Sequence, residues 1–162
     1  MATMASSGAA KVTLPTDTSI VISREFDAPK DLVFRAWTTP ELVKRWWVGN
    51  RGVATLAEID LRVGGTWRYV MVTHGGLEVA FHGSYLEIVT NERIVSTEVF
   101  EGLPDAQSLN TLTLTEAAGR TTFEILVQYA TREGRDTHLG YGMEGGMQEA
   151  LDALDEVARS LA

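Results

Sequence analysis

Apolar residues along this chain recur at two different periods, and the change of period divides it. Ser19-Ile20-Val21-Ile22-Ser23-Arg24-Glu25-Phe26 is rich in β-branched residues and reads as a strand. Asp27 then offers a helix cap with Pro29 in the first turn, and Leu32, Val33, Ala36 and Trp37 repeat at helical spacing. Thr39-Pro40-Glu41 is a second start signal: a capping hydroxyl, proline at the first helical position, then an acid in the positive first turn. Leu42, Val43, Trp46 and Trp47 form the apolar face of that short helix, which Gly49-Asn50 stops.

From there the period is two. Val53–Val63, Thr66–Thr73, Glu78–Val89, Arg93–Phe100, Leu109–Glu116 and Thr121–Ala130 read as six strands. Their separators are short and rich in Gly, Asn and Pro, so neighbours run antiparallel; parallel neighbours need long crossovers. The period then returns to three and four. Met143, Met147, Leu151, Leu154, Ala158 and Leu161 line one face of a helix expected over Asp136–Leu161, roughly 39 Å at 1.5 Å per residue. Acids line the other face, which reads as solvated.

Burial dictates the architecture: a seven-stranded α+β domain in the order strand, two helices, six strands, long helix. One helix cannot cover a flat sheet of that width, but a curved antiparallel sheet can wrap it, with the short helices plugging an open end. Such a grip leaves a hollow between sheet and helix. Gly142, Gly145 and Gly146 either make room there or mark a late, frayed helix start. The domain is expected over residues 17–162, with 1–16 a disordered leader that can be removed without loss.

Composition narrows the function. There are 162 residues, no cysteine, and a net charge of −8. Disulfides, thiolate metal sites and cysteine nucleophiles are therefore excluded. The acidic balance argues against nucleic acid as a partner. The three histidines, His74, His82 and His138, have no zinc-motif spacing, and no phosphate-loop or dinucleotide fingerprint is present. Neither a metal nor a cofactor is expected. No apolar run is long enough to span a membrane, and no secretory signal is visible, so a cytoplasmic protein is expected.

Several blocks carry a resemblance. Glu25-Phe26-Asp27-Ala28-Pro29, Val33-Phe34-Arg35-Ala36-Trp37-Thr38, Pro40-Glu41-Leu42 and Arg45-Trp46-Trp47 resemble the opening of the heat-shock protein 90 ATPase activator homologue family. Glu58–Tyr69, Gly83–Ile88, Asn91–Val95 and Gly142-Met143-Glu144 with Gly146 resemble its later blocks. The resemblance covers Ile20–Leu161 and implies the helix-grip fold of the START/Bet v 1-like superfamily. The resemblance does not extend to the additional domain by which the eukaryotic cochaperone grips its chaperone, and none is expected here. Gly145 and Met147 stand where such helices often carry an acid and a bulky aromatic, which implies a roomier pocket.

The leading expectation is a non-enzymatic domain, monomer or homodimer, that holds an apolar small molecule or lipid-like ligand between sheet and helix. The alternatives are a cochaperone-like protein that binds a heat-shock chaperone and a cyclase- or hydrolase-like enzyme using the same cavity. The expected cavity residues are Trp46, Trp47, Trp67, Tyr69, His82, Leu86, Leu112, Val127, Tyr129, Met143 and Met147. Trp46 or Trp47 stands either at the pocket mouth or in plain core. If Leu86 and Ile88 face inward, so do His82 and Ser84; His82 then orients a ligand oxygen or moves a proton, or else is a structural histidine at an edge. Tyr129 would place its hydroxyl in the hollow. Glu58, Asp60 and Arg62 read as solvated.

Overall fold

A computed structural model describes residues 10–140 and 143–162, with the backbone alone for Met143 and Glu144. The chain forms β1 (Lys11–Thr13), β2 (Ser19–Phe26), α1 (Lys30–Thr38), α2 (Pro40–Trp46) and β3 (Gly52–Ile59). It continues with β4 (Thr66–Thr73), β5 (Glu78–Val89), β6 (Arg93–Phe100), β7 (Ser108–Ala117), β8 (Arg120–Tyr129), α3 (Arg132–Gly140) and α4 (Met143–Ser160). All strands join one antiparallel eight-stranded sheet in the order β1-β2-β8-β7-β6-β5-β4-β3.

Two expectations are corrected here, the strand count and the extent of the leader. The sheet has eight strands rather than seven, because residues 11–13, expected in the leader, pair with β2 through Lys11↔Ser23, Val12↔Ile22 and Thr13↔Val21. Ala10 is buried, and its N–H and C=O are both held by the Gln148 side chain at 3.1 and 2.8 Å. Residues 1–9 lie outside the described residues. The helix expected over Asp136–Leu161 is described in two segments, α3 up to Gly140 and α4 from Met143, and it starts earlier than expected, at Arg132. Gly142 lies outside the described residues.

Local chemistry explains the helix ends. Pro29, not Asp27, occupies the N-cap of α1. Thr39 does cap α2 by position, but its hydroxyl turns back and donates to the Arg35 carbonyl at 2.6 Å, closing α1 instead. Gly49 ends the α2 turn in the left-handed region (φ 61). It is also where Glu149 of α4 docks, its Oε1 accepting the Asn50 N–H at 3.0 Å.

The core lies between the concave sheet face and the helices. Ile20, Phe26, Val33, Val43, Leu114, Phe123 and Leu154 are almost fully buried. The α4 stripe contributes Ala150, Leu151, Leu154, Val157 and Ala158, while Glu149, Asp152 and Glu156 stay exposed. Aromatic contacts show how far the sheet curls. Trp37 of α1 lies 5.4 Å from Phe123 of β8 and stacks on Trp46 at 4.9 Å, while the adjacent Trp47 meets Tyr69 of β4 at 5.4 Å. On a flat sheet β8 and β4 would stand about 19 Å apart at ~4.8 Å per strand. Neighbouring tryptophans reach both sides because the sheet bends around them.

A buried cation ties the helix to the sheet. Arg24 points from β2 toward α4 with 4% of its side chain exposed; its NH1 donates to Asp152 at 2.6 Å, and its NH2 lies 4.0 Å from Asp155. Asp155 also accepts the Asp27 backbone N–H at 3.1 Å. Part of the helix's acidic face is thus spent on anchoring.

Candidate ligand cavity

Between the sheet and helices α2, α3 and α4 lies a cavity of about 650 Å³. Its walls come from six strands: Ile22 of β2 and alternating residues of β4 to β8. β4 supplies Trp67, Tyr69 and Met71; β5 supplies Val79, Phe81 and Tyr85; β6 supplies Ile94, Ser96, Glu98 and Phe100. β7 adds Ser108, Asn110 and Leu112, and β8 adds Phe123, Ile125, Val127 and Tyr129. Trp37, Trp46 and Trp47 close one side, and Met147, Ala150 and Leu151 of α4 another.

The structure brings Trp46, Trp47, Trp67, Tyr69, Leu112, Val127, Tyr129 and Met147 to this one cavity. The Met143 side chain lies outside the described residues. Trp46 is anchored by its Nε1–H, which donates to the Ala36 carbonyl at 2.9 Å. Trp67 donates its Nε1–H to the Thr97 carbonyl at 3.2 Å. With their polar edges satisfied by backbone, both rings offer the cavity only apolar surface.

His82 and Leu86 are corrected: neither faces the cavity. Leu86 is 52% exposed, and the His82 side chain is 48% exposed. The cause is a bulge in β5. Tyr85 pairs with Ser96 and Glu87 with Val95, so Leu86 is the extra residue and the alternation changes phase there. Ile88 does pack on the core, but upstream of the bulge the inward positions are Val79, Phe81 and Tyr85. A second bulge, between Ala54 and Leu56, flips β3 in the same way; Val53 is exposed while Ala57 and Ile59 pack inward.

On the outer face His82 joins an ion cluster. Glu101 accepts from Arg68 Nε at 2.8 Å and Arg68 NH2 at 3.0 Å, and its Oε2 lies 2.9 Å from His82 Nδ1. The hydrogen bonds from Arg68, then that of His82, hold the Glu101 carboxyl down at about 2. Glu58, Asp60 and Arg62 are exposed, with Arg62 Nε 2.9 Å from Asp60.

Sequence reasoning found Tyr129 but missed the other polar groups that face the cavity. Glu98, Ser108 and Tyr129 stand in one row across β6, β7 and β8, since Glu98 pairs with Ser108 and Ser108 with Tyr129. Ser108 donates to Asn110 Oδ1 at 2.9 Å, and Asn110 Nδ2 donates to Glu98 Oε1 at 2.8 Å. Burial pushes the Glu98 carboxyl above the usual carboxylate range, with the Asn110 hydrogen bond opposing. The Tyr129 hydroxyl is hydrogen-bonded to Nδ1 of His138 on α3. Burial pushes the His138 imidazole down, toward the neutral form. Tyr69 and Tyr85 are held as neutral phenols, both mainly by burial.

The cavity is therefore an apolar, aromatic room with one polar stripe. Chemically it can enclose an apolar body, give hydrogen bonds to a polar end, and offer one acid–base pair, Tyr129 with His138. Among the described residues no group of three His, Asp or Glu is placed to hold a metal ion, and no helix is long and apolar enough to cross a membrane.

Residues 27–159 match the family model for "Activator of Hsp90 ATPase homolog 1-like protein". The chain belongs to that family. No curated protein matches it significantly. Among solved structures of similar fold is a crystal structure of a protein from Rhodobacter sphaeroides, with TM-score 0.86 and 24% identity over 93% of this chain and 99% of that one. A solution structure from Arthrobacter aurescens has TM-score 0.83 and 26% identity over 93% of this chain and 91% of that one. The AHSA1-like protein from Aeromonas hydrophila has TM-score 0.67 and 21% identity over 87% of this chain and 93% of that one. The fold shared with these structures is the helix-grip arrangement: an open antiparallel sheet with a C-terminal helix.

Proposed function

We propose that this member of the activator of Hsp90 ATPase homolog 1-like family binds an apolar small molecule or lipid-like ligand between its sheet and α4. One observation carries the reading. Protein interiors are close-packed, with few voids larger than a water, yet this small domain keeps about 650 Å³ open, walled by Trp37, Trp47, Trp67, Tyr69 and Phe81. That volume falls within the roughly 300–1,000 Å³ of small-molecule sites. Leaving it empty forgoes dispersion contacts that a filled core would have. The exposed Leu77 and the loop residues Leu103 and Ala106 also line it, giving it an apolar rim.

The test is titration with a neutral apolar dye such as Nile red, followed by tryptophan fluorescence. Four tryptophans line the cavity, so an occupant quenches them. Affinity of about micromolar or tighter is expected for a ligand of that size. Met147→Trp and, separately, Val127→Phe fill the volume from opposite walls and should abolish binding with the melting temperature retained. Binding that survives both variants overturns the reading and favours the surface recognition of a chaperone that the family description suggests.

A further inference from the structure

Resting on that reading, we propose that the cavity selects ligands whose polar end is a cationic amine, held by Glu98 against the phenol of Tyr69 and the aromatic wall. Glu98 is the one carboxylate among the described lining residues. It is not an accidental charge on a wall. Ser108 orients Asn110, and Asn110 donates to Glu98 Oε1, so a relay of two hydrogen bonds fixes the carboxyl plane from below. Its second oxygen, Oε2, has no hydrogen-bond partner among the described residues. That oxygen is not sealed in the protein but open to the cavity, so it is an acceptor that a ligand's donor can meet.

No cation among the described residues meets that oxygen. Arg51 is the one arginine or lysine among the described lining residues, and it is spent at the end of α2. Its Nε donates to the Val48 carbonyl at 3.2 Å and its NH2 to the Trp47 carbonyl at 3.4 Å. His138 is engaged by Tyr129 and held toward the neutral form by burial. The upward push on the Glu98 carboxyl comes from burial, with only a neutral amide opposing it.

A primary ammonium suits these surroundings better than a hydroxyl does. It brings three N–H donors and a full charge. Glu98 Oε2 accepts one donor with charge assistance. The Tyr69 phenol, held neutral mainly by burial, lines the same cavity, and its oxygen, without a hydrogen-bond partner among the described residues, accepts a second. Trp67 and Tyr69, with centroids 4.8 Å apart, offer ring faces to which a desolvated cation is drawn. A ligand carboxylate would instead meet Glu98 as a like charge.

The experiment compares decylamine, decanol and decanoate, each below its micelle concentration, on the wild-type protein and on Glu98→Gln at pH 7. The apolar tail is constant, so the order reports the polar end alone. The expected wild-type order is amine, then alcohol, then carboxylate, with the amine about 10-fold or more tighter than the alcohol, the magnitude of one charge-assisted hydrogen bond. Glu98→Gln should bring the amine to the level of the alcohol, shift the alcohol by less than about 3-fold, and improve decanoate. An amine no tighter than the alcohol, or an amine preference that survives in Glu98→Gln, overturns the proposal while the alcohol's binding leaves the cavity reading standing. If none of the three binds the wild-type protein, both fail. Should Glu98→Gln not fold, the wild-type order decides alone.

Discussion

Tyr129 and His138 stand with their ring centroids 5.6 Å apart at 68°, hydrogen-bonded across the junction from the last strand to α3. Burial favours the neutral imidazole in this contact by pushing His138 below its ordinary value of 6.5. The sign follows. The unfolded chain binds a proton at His138 at higher pH than the folded chain does, so folding stability is full above about pH 6.5 and falls as the pH drops below it. Denaturant midpoints measured from pH 7.5 to 5 should show this decline. His138→Phe should lack the His138 part of it, and an unchanged slope would contradict the assignment.

Arg24 invites a contrast between two substitutions. Its guanidinium is buried, paired with Asp152 and Asp155, and leaves its Nε without a partner. Arg24→Ala removes the pair and opens a void beneath α4, and should cost about 3 kcal/mol. Arg24→Met keeps the packing, relieves the orphaned Nε, and should cost less than half as much. Equal losses in chemical denaturation would mean that the charge, not the volume, matters.

Two glycines should respond in opposite directions. A methyl group on Gly83 would lie 1.8 Å from the Thr97 carbonyl oxygen and 2.7 Å from Trp67 Nε1. Gly83→Ala must therefore push β5 from β6 and break the hydrogen bond that holds Trp67, a loss of about 3 kcal/mol or more. A methyl on Gly145, near the start of α4, meets nothing within 4 Å. Gly145→Ala should stabilise by about 0.5–1 kcal/mol through backbone entropy and helix propensity. Thermal melts of both variants read this directly.

The outer cluster predicts a separation of stability from binding. Glu101 is held low by Arg68 and His82 on the face away from the cavity. That contribution is present above about pH 4.5 and lost as the pH falls toward 2, the value in the folded protein. His82→Ala and Leu86→Ser should leave Nile red affinity unchanged, and Glu101→Gln should cost less than about 1 kcal/mol, as partly exposed pairs do. A loss of dye binding in either of the first two would reinstate the inward orientation of β5 that the bulge rules out.

Which parts were readable from the sequence follows from which signals are local. Phe123, Ile125, Val127 and Tyr129 alternate without interruption against Glu124 and Gln128, and β8 holds one phase from end to end. The Leu151, Leu154 and Ala158 stripe of α4 is equally regular. A bulge leaves no such trace. Nothing in Tyr85-Leu86-Glu87 announces an extra residue, and the two-residue rule then carried His82 and Leu86 to the wrong face. Glu98 was hidden differently. In β6 both faces are apolar, Val95 and Val99 on one side, Ile94 and Phe100 on the other. A charge between valines reads as the solvent face unless the larger pair bracketing it in phase is given more weight. His138 sits among polar residues with no clear period, and only its place in α3 brings it to the cavity wall.

The three-residue strand β1 has a consequence beyond its own few hydrogen bonds. It covers residues 21–23 on the outer edge of β2, where the β-branched Val21-Ile22 pair would otherwise end the sheet with unpaired N–H and C=O groups. Such a bare edge is a template on which a second chain can add its own strand. The segment acts as a guard against self-association, clipped in place by Gln148, whose amide mimics one more peptide group of the ladder. Whatever lifts α4 also draws on that clip, so the helix that closes the cavity also secures the guard over the sheet's edge.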